Sequence, residues 1–98
     1  DYVWDYIVKR LLIRSSSFVR VAKKIVKKHP EAAEDIRGAL YLLEEDATHP
    51  RLKTHKLKGK LEGSWACSAG YDLRIIFRFG QYENQEAVFI ETIGTHDE

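Results

Sequence analysis

Residues 71–79, Tyr-Asp-Leu-Arg-Ile-Ile-Phe-Arg-Phe, form the most regular pattern in the chain. Apolar side chains occupy every second position of this stretch, starting at Tyr71, whereas Asp72, Arg74 and Arg78 occupy positions between them. Successive side chains of a strand project to opposite faces, so this alternation predicts a long strand with one buried face.

Three further strands and the turns between them are predicted around that stretch. Residues 64–69 precede it and residues 86–93 follow it, and both segments are rich in apolar or aromatic side chains. Turns are expected over residues 59–63, near Ala69-Gly70 and over residues 80–85, and one more strand is predicted over residues 52–58. Consecutive strands with short connections predict an antiparallel meander.

Two amphipathic helices are predicted before the meander. Serine hydroxyls at residues 15–17 are suited to capping the first helix, and His29-Pro30 separates it from a second helix that should stop near Asp46. The first helix carries its apolar side chains at helical spacing on one stripe, which consists of Phe18, Val21, Ala22, Ile25 and Val26. That stripe is expected to pack on the apolar face of the central strand, formed by Tyr71, Leu73, Ile75 and Phe77.

The whole pattern predicts one α+β domain over residues 1–98. Two antiparallel helices should pack on one face of a mostly antiparallel sheet of four or five strands, the first strand lying within residues 7–14. Residues 1–6 are a candidate N-terminal extension. A chain of 98 residues has room for one modest core, and its balance of 44% hydrophobic and 32% charged residues is globular.

Composition also bears on the cellular compartment of the protein. No apolar run approaches the ~18 residues that cross a bilayer, so no membrane role is expected. The single cysteine, Cys67, can form neither an internal disulfide nor a multi-cysteine zinc site, which fits a cytoplasmic protein.

The net charge of +1 hides two basic blocks. Residues 9–28 contain eight basic side chains and no acidic one, and residues 51–60 contain five and none. Either block can meet a polyanion, although a solvated helix face explains the first block equally well.

Four residues suggest chemistry when they are taken together: His55, Asp72, Arg74 and His96. Each has an ordinary structural explanation when taken alone, such as a surface ion pair between Asp72 and Arg74. Cleavage of RNA by its own 2′-hydroxyl needs a base, an acid and a cation beside the phosphate, and two histidines with an arginine supply them. No metal or cofactor is expected, because the sequence offers no clustered ligand set and no cofactor motif.

Three segments together resemble a known family. They are His-Lys-Leu-Lys-Gly at 55–59, Trp-Ala-Cys-Ser-Ala-Gly-Tyr-Asp-Leu-Arg-Ile-Ile-Phe at 65–77, and Ile-Gly-Thr-His-Asp-Glu at 93–98. The chain resembles the RelE/ParE toxin superfamily over residues 11–98, and within it the RelE/StbE and YafQ-like branch of type II toxin–antitoxin systems.

This resemblance implies a RelE-like α+β toxin that cuts messenger RNA in the ribosomal A site without a metal. It implies that His55 and His96 act as the acid–base pair, in either order, that Arg74 faces the scissile phosphate, and that Asp72 orients groups or handles a proton. A cognate antitoxin is expected to neutralise the toxin and to assemble it into a larger complex. The expected RNA-binding residues are Lys53, Lys56, Lys58 and Lys60.

The chain departs from the family at several positions, and two alternatives stay open. Ser68 stands where YafQ-like toxins carry a further histidine, and Trp65 and Cys67 lie near the places of the paired lysines of RelE. A ParE-like protein that binds DNA gyrase and cleaves nothing would share the fold, as would an inert interaction module. The histidine pair favours the nuclease, because a gyrase binder needs no titrating pair.

Overall fold

The structure is a computed structural model that describes residues 9–95, so the candidate extension at residues 1–6 lies outside it. Within residues 9–95, two α-helices and five strands follow one another. In order they are β1 (Leu11–Arg14), α1 (Ser16–Lys28), α2 (Ala32–Glu45), β2 (His55–Lys56), β3 (Trp65–Ala69), β4 (Leu73–Tyr82) and β5 (Gln85–Thr95).

The five strands form one sheet in the order β1-β5-β4-β3-β2. Strands β2 to β5 pair antiparallel, as the predicted meander requires, and β1 pairs parallel to β5 at the other edge. Both helices occur between β1 and β2, and they pack on one face of the sheet. The predicted α+β class and the mostly antiparallel sheet are therefore confirmed.

Helix α1 begins where the serine run predicts. The Oγ of Ser15 accepts a hydrogen bond from the backbone N–H of Phe18 at 2.9 Å, which satisfies one unpaired donor of the first turn. The same hydroxyl donates to the backbone carbonyl of Glu91 in β5 at 2.7 Å. The cap therefore also ties the start of α1 to the sheet. Helix α2 ends at Glu45, next to the predicted stop.

The core lies between the helices and the inner face of the sheet. Phe18 of α1 and Leu43 of α2 belong to one buried cluster with Leu73, Ile75 and Phe77 of β4, the inner-face residues that the alternation predicts. Helix α1 lies mainly over β5, and α2 lies mainly over β3. The sequence-based expectation is wrong for one position. Tyr71 is 95% exposed, because the chain turns at residues 70–72 and β4 starts only at Leu73.

Two other boundaries also differ from expectation. The strand predicted over residues 52–58 shrinks to His55–Lys56, because Pro50–Leu52 is a single turn of 3-10 helix and Lys53 adopts a left-handed conformation with φ of 52°. The turn predicted over residues 80–85 contains only Glu83 and Asn84, with φ of 51° and 67°. Positive φ at both central residues is typical of a tight hairpin, so β4 and β5 extend to its tip.

Within the described residues, no helix covers the outer face of the sheet. Ala66, Ile76 and Ala87 project from it and are nevertheless buried, although they do not belong to the core cluster under the helices. They form an apolar floor beneath longer polar side chains of the same face. We call this outer surface the open face.

No helix within residues 9–95 is long and apolar enough to cross a membrane.

Cys67 provides a test of the packing. Its side chain is 1% exposed in β3, and burial raises the pKa of the thiol from 9.0 to about 12, against the opposing effect of a hydrogen bond with the Ile75 backbone. The thiolate is the reactive form, so Cys67 should resist alkylation at pH 8 until the chain unfolds. Iodoacetamide modification should be at least ~100-fold faster in denaturing urea than in buffer.

The raised pKa also fixes the sign of a pH effect. The folded chain holds the thiol proton more tightly than the unfolded chain does, so this stabilisation is complete below pH 9 and is lost as the pH rises toward 12. Urea titrations measure the free energy of unfolding at each pH. This free energy should fall less between pH 9 and pH 12 for Cys67→Ala than for the unchanged protein. An equal loss in both proteins, or rapid native alkylation, would show that Cys67 is not packed as described.

Candidate functional site on the open face

His55 lies on the open face at the edge of the sheet. It pairs with Ala66 of β3, which pairs in turn with Ile76 of β4, and Ile76 faces Thr92 of β5. Directly paired residues of antiparallel strands project to the same side, so these four side chains form one row across the sheet. The imidazole stands at the end of that row and is exposed.

The segment before His55 holds the imidazole ring in one orientation. The hydroxyl of Thr54 donates to the carbonyl of Ala47 at 2.6 Å, which fastens the segment to the end of the helical layer. The Nδ1 of His55 lies 2.9 Å from the carbonyl oxygen of Lys53. A carbonyl can only accept, so Nδ1 carries the proton of this bond. In the neutral ring the lone pair is then on Nε2, where a base is needed.

Arg74 occupies the next row of the same face. It pairs with Ser68 of β3 and with Gly94 of β5, which has no side chain. Strands β2 and β4 are separated by β3, and the two residues are one row apart, so the backbones of His55 and Arg74 lie about 12 Å apart. A phosphodiester group between two extended side chains can be reached from both. The two residues are therefore placed to act on one ligand.

A polar network crosses the open face beside this pair. Arg78 Nε donates to Glu91 Oε2 at 2.9 Å, and the hydroxyl of Ser64 donates to Glu91 Oε1 at 2.9 Å. The register between β4 and β5 shifts at Ile76/Phe77, which places Glu91 in a bulge between two paired positions. Bulges commonly redirect a side chain in this way. The sequence pattern did not predict this network.

The network predicts a stability effect. Ser64 is only 2% exposed, so Glu91→Ala would leave the buried Ser64 hydroxyl without an acceptor. The same substitution would remove the carboxylate that pairs with Arg78. We expect a loss of about 1–3 kcal/mol in the free energy of unfolding, measured by urea denaturation. Glu86→Ala is the matched control, since that exposed carboxylate of β5 makes only a long contact to Gln81. Equal stability of the two variants would show that the network contributes nothing.

Asp72 does not join this face. It lies in the turn before β4 and lines a cavity of about 620 Å³ between the helix ends and the end of the sheet, together with Lys28, His29 and Leu73. The expectation that Asp72 and Arg74 project from one strand face is therefore wrong, because the strand begins after Asp72. Its role as an orienting or proton-handling carboxylate stays a prediction.

His96 lies outside the described residues. β5 is described to Thr95, the residue before it, which pairs with Leu73. The role of His96 in acid–base chemistry therefore stays a prediction from the sequence.

The second basic block surrounds His55. Its lysines are all exposed, and none of them forms an ion pair with a carboxylate of residues 9–95. They do not share one face. The Nζ of Lys56 lies 5.5 Å from the ring centroid of Trp65, on the side of the sheet that carries the helices. The lysines of the block are Lys53, Lys56, Lys58 and Lys60.

Within residues 9–95, no three histidine, cysteine or acidic side chains come together in a group suited to hold a metal ion.

Comparisons with known proteins identify the fold. No family model matches the chain, and no curated protein matches it significantly. Several solved structures do match the chain. A YoeB/ParE toxin from Agrobacterium tumefaciens superposes with a TM-score of 0.72 at 15% identity, covering 88% of this chain and 98% of that one.

Two YafQ structures superpose almost as well. YafQ from E. coli strain BL21(DE3) gives a TM-score of 0.69 at 18% identity, and YafQ in the E. coli DinJ–YafQ complex gives 0.68 at 22% identity. Each comparison covers 91% of this chain and 96% of the other. The chain therefore has the fold of the RelE/YafQ-like toxin superfamily.

Proposed function

We propose that this protein is the toxin of a type II toxin–antitoxin system and that it cleaves messenger RNA in the ribosomal A site, in the cytoplasm. The observation that carries the proposal is the placement of His55 and Arg74 on the open face of the sheet, with the His55 ring oriented by the Lys53 carbonyl. The likeness to toxin structures supports the same conclusion.

The proposed reaction is an internal transfer at one phosphate. Nε2 of neutral His55 takes the proton of the ribose 2′-hydroxyl, and the 2′-oxygen forms a bond to phosphorus. The bond from phosphorus to the 5′-oxygen breaks, and that oxygen receives a proton from the acid, the part we assign to His96. The products are a 2′,3′-cyclic phosphate and a 5′-hydroxyl, and the reaction consumes no water, metal or cofactor.

Arg74 supplies the cation in this scheme. Negative charge on the non-bridging oxygens grows as the 2′-oxygen attacks, and a guanidinium can hold two of them at once. Ser68 stands directly opposite Arg74 and presents a hydroxyl on the same face.

The basic block around His55 should follow the RNA backbone. Reversing two of its exposed charges, with Lys58→Glu and Lys60→Glu, should weaken binding to ribosomes or RNA and reduce its salt dependence, because fewer counterions are released. The measurement is affinity against salt concentration. Reversal at Arg20 and Lys24 of α1, on the helical side, is the control. Unchanged binding would show that these lysines are ordinary solvated surface residues and do not contact RNA.

A cognate antitoxin is the partner we propose. The E. coli DinJ–YafQ structures show a toxin of this fold in complex with its antitoxin. The exposed basic block around His55 calls for an acidic cover while the toxin is stored. Coexpression with the antitoxin should yield a stable complex of both proteins, in which message cleavage is suppressed.

The ParE-like alternative predicts a different target. Purified protein would then inhibit supercoiling by DNA gyrase and leave messages intact. Our proposal predicts the reverse in the same two assays, namely mapped cuts in messages after induction and normal supercoiling. These two readouts separate the functions, whereas an antitoxin partner alone does not.

A further inference from the structure

Phe89 of β5 is an aromatic side chain on the open face. It pairs with Arg78 of β4 on one side and with Ile13 of β1 on the other. Directly paired residues project to the same side of a sheet, so all three side chains belong to the open face. Phe89 and Ile13 are half-buried, whereas Arg78 is exposed. The open face therefore carries an apolar surface beside an exposed cation.

Gly80 fixes the position of the Phe89 ring. A Cβ atom built on Gly80 would lie only 2.8 Å from Cε2 of the ring and 3.3 Å from its Cδ2. One edge of the ring therefore lies against the Gly80 backbone, in the space that a side chain at position 80 would fill. Since Phe89 is only half-buried, the rest of its surface is available to a ligand.

Arg78 is also held in place on this surface. Its Nε donates to Glu91, and a Cβ atom built on Gly63 would lie 3.4 Å from its Nη1. The guanidinium is therefore fixed by a carboxylate and packs near the backbone of the turn before β3. An aromatic ring and a cation, each held by its own support, lie next to each other before any ligand binds.

This surface continues the candidate site along β4. Alternate residues of a strand share a face, and Arg78 lies four residues beyond Arg74, which is about 13 Å along the strand. A single strand of RNA whose scissile phosphate lies at Arg74 can therefore reach the Phe89 ring within a few nucleotides.

We propose that Phe89 is a positioning residue, on which one unpaired base of the RNA substrate stacks a few nucleotides from the cut. Sites for single-stranded nucleic acid combine cations with aromatic rings, because every base has a flat face that can stack. A stable protein interface would need a far larger apolar surface than one ring and Ile13, so RNA fits this surface better. The inference rests on the proposed function, since it deepens the description of the same substrate site.

An RNA that cannot be cut tests this stacking on the unchanged full chain. A 2′-O-methyl oligonucleotide of about eight nucleotides has no free 2′-hydroxyl, so it reports binding without chemistry. With labelled phenylalanine, we expect the NMR resonances of the Phe89 ring to move upfield when this RNA is added, because a stacked base imposes its ring current. An abasic nucleotide at one position of the RNA should remove that shift and weaken binding roughly tenfold.

Variants at two positions separate the aromatic ring from its support. Phe89→Leu should weaken the intact oligonucleotide roughly tenfold and should no longer respond to the abasic position, whereas Phe89→Tyr should stay within about twofold of the unchanged protein. Gly80→Ala places a methyl group where the ring lies, so it should weaken binding by roughly threefold or more. Tyr41→Leu is the matched control, because that tyrosine is exposed on α2, and its effect should stay below about twofold.

Kinetics on programmed ribosomes show whether the ring positions the substrate. The proposed role places Phe89 away from the reacting atoms, so Phe89→Leu should raise KM roughly tenfold and leave kcat within about threefold. A fall in kcat with unchanged KM would contradict a positioning role.

The binding experiment separates this inference from the proposed function. If RNA shifts the resonances of His55 but leaves those of the Phe89 ring in place, the inference fails and the proposed cleavage site stands. Equal weakening at every abasic position, equal losses in Phe89→Leu and Tyr41→Leu, or a Phe89 shift that only a protein partner produces would also overturn it. A Phe89 shift at one base position, in a protein that cuts no message, would support stacking and reject the proposed cleavage.

Discussion

Replacement of His55 by alanine should abolish message cleavage. The imidazole is the base that we propose on the open face, and general acid–base catalysis by a positioned side chain contributes about 100- to 10,000-fold to a rate. His55 is exposed and ends a two-residue strand, so its loss should leave the fold intact. Growth arrest after induction and primer extension on a reporter message measure the effect.

His29→Ala is the matched control for that experiment. His29 is also exposed, but it lies at the junction of α1 and α2 and its ring faces Glu31. The control should stay fully toxic and should cut the message at the same sites. Full activity of His55→Ala would remove the base from the proposed mechanism and would favour the gyrase-binding alternative.

Replacement of Arg74 by alanine should lower the cleavage rate by about 100- to 1000-fold, as loss of one preorganised donor to a developing oxyanion does. Arg74→Lys keeps the charge but loses the paired donors, so it should recover only part of the rate. Single-turnover cleavage on programmed ribosomes separates this effect on the chemical step from an effect on binding.

Arg20→Ala controls for the loss of one arginine elsewhere, since Arg20 is exposed on α1. It should change the rate by less than about twofold. If Arg74→Ala reduces affinity for ribosomes but leaves the single-turnover rate unchanged, Arg74 belongs to the binding surface and another cation must face the phosphate.

The elements with strong local signals could be predicted from the sequence. Ser15 and the apolar period after it predict α1 together with its cap, and the structure confirms both. The inner face of β4 follows from strict alternation at Leu73, Ile75 and Phe77. These patterns succeed because each reports burial against the rest of the chain, residue by residue.

The boundaries around turns could not be predicted in the same way. The segment before His55 depends on the left-handed backbone of Lys53, a conformation that lysine rarely signals. The hairpin tip depends on Glu83 and Asn84, of which only asparagine is typical there. Tyr71 continues the alternation in sequence, but the turn at residues 70–72 ends the strand before it.

The site shows the same division. The pairing of His55 with Ala66 and of Arg74 with Ser68 needs the register of three strands, which no local pattern contains. One feature of the β5 sequence indicates the bulge that places Glu91 beside Arg78, namely the spacing of its apolar residues. The core-facing positions of β5 step by two from Val88 to Ile90 and then by three to Ile93, which breaks the period of a regular strand.

The chemistry of the cut ends tests the central claim most directly. Purified protein is mixed with programmed ribosomes, and the ends of the cleaved message are analysed by enzymatic labelling and mass spectrometry. Internal attack predicts a 2′,3′-cyclic phosphate on one fragment and a 5′-hydroxyl on the other, with no cleavage by His55→Ala. An intact message, or fragments that carry a 5′-phosphate and a 3′-hydroxyl, would contradict the account.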